Sequence, residues 1–159
     1  MPSLSPLKIT TLASTIYPPD FSGTQPYTTQ TARTKLAIAE GLINCFAFGT
    51  NLAYNNQSRA YQFSVFPGMH AQDTSYTFFS GGVTDGLGIP VEVSTAETMQ
   101  RWFVGFAMLE TDRGSAAAEV PVYGAQANVV NVTGAGGFAR VRDPAANARC
   151  RFWLEGVTA

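Results

Sequence analysis

Charge is what this sequence has least of: Asp, Glu, Lys and Arg make up 13% of its 159 residues, against about 25% in an average soluble domain. The 10 basic and 11 acidic residues nearly cancel to a net charge of −1. That balance excludes a protein whose affinity comes from neutralising phosphates. Lysine is rarer still, with only Lys8 and Lys35. The centres of protein interfaces are depleted in charge and favour Arg over Lys, so the deficit points to a surface covered by neighbours, ahead of a bare surface built from uncharged Thr, Ser, Asn and Gln. No run reaches the roughly 18 apolar residues that suggest a membrane span.

Chemistry is equally sparse. His70 is the one histidine. It follows Pro67-Gly68-Met69 with no nucleophile motif beside it, and a Ser-His-Asp or Cys-His arrangement needs a partner set, so it reads as a loop residue. Cys45 and Cys150 lie far apart and lack the close pairs of structural zinc sites. They could pair. No basic and then apolar leader is visible from Met1 to Lys8, however, so buried free thiols are the default expectation. Glu110 and Asp112 beside Arg113, and Asp85 between Gly82 and Gly86, read as turn-solvating groups and not as paired carboxylates or a Ca²⁺ loop. No catalytic residue, metal or cofactor is expected, and no enzyme.

What is present is a hydrophobic share of 45%, enough for a core. Residues 1–32 carry Pro2, Pro6, Pro18, Pro19 and Pro26, which predicts an extended arm, since proline fixes φ and removes a backbone donor. Leu4, Leu7, Ile9, Leu12, Ile16, Tyr17 and Phe21 are too apolar for a solvated tail, so the arm is expected to lie along its own domain or along a neighbouring subunit, and in the second case they are its assembly contacts. Residues 33–159 read as one β-rich domain. A short helix or turn is expected near 31–44, followed by strands. Tyr61, Phe63 and Val65 alternate with Gln62 and Ser64; Trp102, Val104, Phe106 and Met108 take one side of another run; Val120 and Val122, and Val130 and Val132, mark two more. Residues 138–142 and 149–154 predict an antiparallel hairpin. It would place Arg140, Arg142, Arg149 and Arg151 on one face, a docking surface for acidic groups. The fold class expected is mainly β: an antiparallel sandwich or small barrel with an extended N-terminal arm and at most one or two short helices.

Residues 101–130, from Arg101-Trp102-Phe103-Val104-Gly105 through Val120-Pro121-Val122 to Val129-Val130, resemble the head decoration, or cement, proteins of tailed phages. A hydrophobic strand, a small acidic turn and a V-x-V strand follow one another in that group. Residues 40–54, with Phe48-Gly49-Thr50 before Leu52 and Tyr54, look like its preceding strand. The resemblance implies a virion structural protein that binds the major capsid protein and copies of itself, as a trimer. It implies a capsid location after assembly in the host cytoplasm, with no nucleic-acid or membrane contact. The alternatives are a carbohydrate- or receptor-binding β module stacking ligands on Tyr54, Tyr61, Tyr76 and Trp153, and a small coat or tail subunit.

Overall fold

The computed structural model describes residues 5–108 and 119–156. In chain order these form α1 (Pro6–Thr11), a π-helical turn (Leu12–Ile16), α2 (Gln30–Ala39), a second π-helical turn (Glu40–Asn44), α3 (Cys45–Ala53), β1 (Tyr61–Phe63), α4 (Thr74–Thr77), α5 (Val93–Ala107), β2 (Asn128–Gly134), β3 (Gly137–Arg142) and α6 (Ala148–Gly156). The three strands make one sheet in the order β1-β2-β3. This overturns the mainly β sandwich or barrel, because helices carry most of the regular structure among the described residues. The chain divides into two compact units, Met1–Asn55 with Pro144–Ala159, and Asn56–Asp143.

In the first unit, the expected extended arm gives way to helix from Pro6 to Ile16. Ser5 caps α1, accepting from the Lys8 N–H at 3.4 Å, and Pro6 stands in the first turn, where a missing N–H is no loss. Proline excludes a helix interior but not its start. From Gln30 to Ala53 the chain is a continuous helical stretch of 24 residues, long and apolar enough to cross a bilayer by length and composition. Within its own unit this stretch packs on α6. A Cβ on Gly41 would stand 2.8 Å from the Trp153 ring, and one on Gly49 would stand 2.7 Å from Leu154. Gly41 is therefore a seat for an indole and not the helix break that its residue type suggests. Asn147 caps α6, its side-chain oxygen accepting from the Cys150 N–H at 3.0 Å. That cap makes a helix of residues whose apolar and polar positions alternate like a strand.

In the second unit, β1 runs parallel to β2, and the crossover between them contains α4 and α5, the βαβ arrangement. β2 and β3 are joined at Ala135 and Gly136, both at positive φ (50° and 68°), the signature of a two-residue type I′ hairpin. The partner of residues 138–142 is thus β2, with Val130 opposite Arg140. Helix α5 replaces the predicted strand at 102–108. Its buried seam is Thr95, Ala96, Met99, Trp102 and Gly105, a helical spacing. Met99 is fully enclosed, beside Trp102, Tyr76, Val130 and Val132. Trp102 meets Phe138 edge-on at 5.0 Å, as Phe63 meets Tyr76 at 5.0 Å, contacts worth about 1 kcal/mol each beyond burial.

Candidate functional site

The residues expected to make assembly contacts separate in the structure. Leu4 lies outside the described residues, as do Glu110, Asp112 and Arg113. Leu7 and Ile9 are exposed on α1, Phe21 is exposed, Leu12 and Ile16 are half-buried, and Tyr17 is buried. Arg140 and Arg142 are exposed on β3, whereas Arg149 and Arg151 belong to α6. The four-arginine hairpin face does not form, because residues 149–154 are helical. Arg140 instead donates from Nε to Asn128 Oδ1 at 3.1 Å.

Arg149 has a different task. Its Nε and Nη2 donate to Glu40 Oε2 and Oε1, both at 2.8 Å. The Tyr17 hydroxyl donates to Glu40 Oε2 at 2.6 Å, Asn147 Nδ2 donates to Oε1 at 3.2 Å, and Trp153 Nε1 donates to the Tyr17 oxygen at 2.8 Å. Burial, reinforced by the bond to Glu40, holds the Tyr17 pKa well above its ordinary value, so the phenol stays a donor. Glu40 is 2% exposed. A buried pair adds little over an apolar core, but losing one member strands the other. Glu40→Gln puts an amide N–H among donors and should cost about 2–3 kcal/mol, read from urea unfolding. A loss under about 0.5 kcal/mol, the scale of an ordinary surface change, would mean the hub is not a stabilising centre.

One carboxylate oxygen of Glu40 and the sulfurs of Cys45 and Cys150 lie within 4.8 Å of one another. The two sulfurs are bonded to each other. The free thiols expected for these cysteines are therefore corrected to a disulfide, and a disulfide offers no thiolate to a metal.

The second polar centre braces the loop that carries the lone histidine. Just past the carboxyl end of β1, Ser64 continues the pairing, its N–H donating to Val132 O at 2.7 Å, and Val65 is buried in the core. The chain then turns outward through Phe66, Pro67 and Gly68, with a cis peptide before Pro67 and φ +71° at Gly68. His70 is exposed at the tip. In the same loop Gln72 is 5% exposed, and its partner Asp85 is 7% exposed. Gln72 Oε1 accepts from the Gly68 and Met69 N–H groups, both at 3.1 Å, and its Nε2 donates to Phe66 O at 3.1 Å and to Asp85 Oδ2 at 3.0 Å. Asp85 Oδ1 accepts from the Leu87 and Ile89 N–H groups at 2.8 and 2.9 Å. Burial opposes ionisation of Asp85, but these N–H groups and the Gln72 amide outweigh it and hold the carboxyl below its ordinary pKa. Asp85, read from the sequence as a turn-solvating residue, is a buried turn organiser. Gln72 carries no motif. Its only sequence signal is a polar residue between a turn and a helix start.

An exposed imidazole on a loop at the carboxyl end of a parallel strand stands where α/β sheets place reacting groups. Curated proteins similar to the chain include carboxylesterase patB of Aspergillus clavatus, 33% identical over 141 residues that cover 89% of this chain and 24% of that protein. Carboxylesterase patB of Penicillium expansum is 31% identical over 141 residues, covering 88% of this chain and 24% of that protein. The chain spans about a quarter of the length of the curated relatives it matches. No protein-family model and no solved structure matches it.

These matches overturn the phage decoration resemblance, and with it the virion function, the capsid location and the expectation of a non-enzyme: the proteins that the chain is similar to are carboxylesterases. Physically, the signature strand expected from Arg101 onward is helix as far as Ala107, and residues 109–118 lie outside the described residues. The major-capsid partner and the trimer were implied by that resemblance alone. The ligand-stacking alternative loses its platform, since Tyr76 is fully buried and Tyr61 and Trp153 are half-buried, leaving Tyr54 exposed.

Proposed function

We propose that this chain supplies the histidine-bearing portion of a carboxylesterase-type hydrolase, with His70 as the general base and acid. The observation that carries the reading is the position of the sole imidazole, exposed on a braced loop at the carboxyl end of a parallel strand. In hydrolases built on such sheets the histidine follows the nucleophile and the acid in chain order. Among the described residues no hydroxyl or carboxylate bonds the His70 ring. Both partners would therefore come from elsewhere in a longer protein.

In that role the imidazole takes the proton of the attacking hydroxyl and returns it to the departing alcohol. It then takes a proton from water, whose oxygen releases the acid and frees the hydroxyl. The surface fits a part of something larger. From Trp102 to its end α5 is apolar all round, with Phe103 40%, Val104 57% and Phe106 57% exposed, and its C-cap Met108 is 65% exposed; helices of that kind are normally enclosed. β1 stands at the sheet edge, with β2 on one side of it. The cover would be the remaining length of the hydrolase.

The test is a chimera in which this chain replaces the matching segment of the Aspergillus clavatus protein. The expected result is hydrolysis of p-nitrophenyl acetate at a rate far above background. A folded chimera without ester turnover would sink the proposal.

A further inference from the structure

We infer that Gln72 and Asp85 are positioning residues for His70: a buried amide–carboxylate clamp that holds the loop in one conformation before any substrate arrives. The catalytic part of this inference rests on the hydrolase reading above; the ordering of the loop does not.

The clamp is defined by its bonds. Backbone N–H groups of Gly68 and Met69 face one end of the Gln72 amide, and a carbonyl and a carboxylate face the other. Only one orientation of the amide satisfies both ends. Gln72 therefore fastens the segment just before His70, while its own N–H donates to Met69 O at 3.1 Å from just after it. Ala71, the residue between His70 and Gln72, sits at φ +65°, a conformation that costs an alanine and persists only where surroundings impose it. Asp85 supplies the fixed end. Its Oδ1 is tied into the 85–89 turn by the Leu87 and Ile89 N–H groups, leaving Oδ2 for Gln72. Buried polar groups satisfied in this way rigidify what they hold, and partial satisfaction would do the reverse. For a base that must meet a nucleophile at hydrogen-bond distance, a displacement of about 1 Å can cost about 100-fold in rate.

His70 is the only histidine in 159 residues, so the full chain gives one imidazole Cε1–H resonance that needs no assignment. Gln72→Met removes the amide at nearly constant volume, and Asp85→Asn sets two amide donors against each other. The unsubstituted chain should show one sharp signal. Either variant should split or broaden it while upfield methyl signals from the Met99 core stay in place. In the chimera, the same substitutions should lower kcat roughly 10- to 100-fold with KM within about twofold. An unchanged imidazole signal in both variants overturns the clamp. So does an unchanged kcat in an active chimera, which would leave the loop ordered for some other reason. If the parent chimera turns over no ester, the hydrolase reading fails by itself, and the resonance still decides whether the clamp orders His70. If Gln72→Met does not fold, Asp85→Asn carries the test alone.

Discussion

His70→Ala in the chimera should reduce kcat for p-nitrophenyl acetate by roughly 10⁴- to 10⁶-fold while KM changes little. The size follows from what the imidazole does. Imidazole is the neutral side chain that takes and returns a proton near pH 7. Without it the attacking hydroxyl must lose its proton to water, and the leaving alcohol must depart as an alkoxide. The lost stabilisation is about 5–8 kcal/mol at 1.36 kcal/mol per decade. His70 is exposed, and no hydrogen bond to the described residues holds its ring, so the substitution should leave folding intact. That separates chemistry from stability. A fall of less than about tenfold would assign the base to a residue outside this chain. His70→Gln should be as inactive as alanine, because an amide donates and accepts hydrogen bonds but does not titrate there.

No complete catalytic set is legible within these 159 residues, which is why the sequence reads as a non-enzyme. A base whose nucleophile lies elsewhere leaves no such pattern, and a lone histidine after Pro-Gly is what most surface loops contain. The charge deficit was legible in the composition, and the covered surface expected from it belongs to the proposal above. Trp102–Met108 shows why the fold misled. With no polar residue between Trp102 and Met108, the run satisfies a period of two as well as 3.6, and the deciding residues are Thr95, Ala96 and Met99 further back. Residues 149–154 alternate cleanly but follow Asn147, whose side chain starts a helix. The strand at 138–142 was readable because its β-branched and aromatic residues follow a glycine turn; its partner was not, since pairing depends on the whole sheet. Gln72 and Asp85 are invisible by type alone. Their roles come from a turn that only the folded chain possesses.

Reducing the Cys45–Cys150 bridge should lower the unfolding free energy by about 3–5 kcal/mol and the urea midpoint by about 2 M. The two cysteines are 105 residues apart, and closing a loop of about 100 residues is worth about 4.7 kcal/mol in the chain-entropy picture. The bridge joins α3 to α6, the two ends of one compact unit whose intervening sequence folds as the other. Cys45→Ala with Cys150→Ala should cost slightly more than reduction, because Cys45 and Cys150 are 1% and 0% exposed and alanine leaves a small void. Two thiols reacting with Ellman's reagent in the unfolded, unreduced chain would refute the bridge outright. A midpoint unmoved by reduction would show that it adds no stability. The Glu40 hub ties the same continuous helical stretch, Gln30–Ala53, to α6 through Arg149, yet the two effects should add. The bridge acts mainly by restricting the unfolded chain, whereas the Glu40 bonds exist only in the folded one. Glu40→Gln should therefore cost the same, within about 0.5 kcal/mol, in oxidised and reduced protein. A coupling above about 1 kcal/mol would mean instead that the bridge holds Arg149 against Glu40, and that reduction dismantles the hub along with the covalent tie.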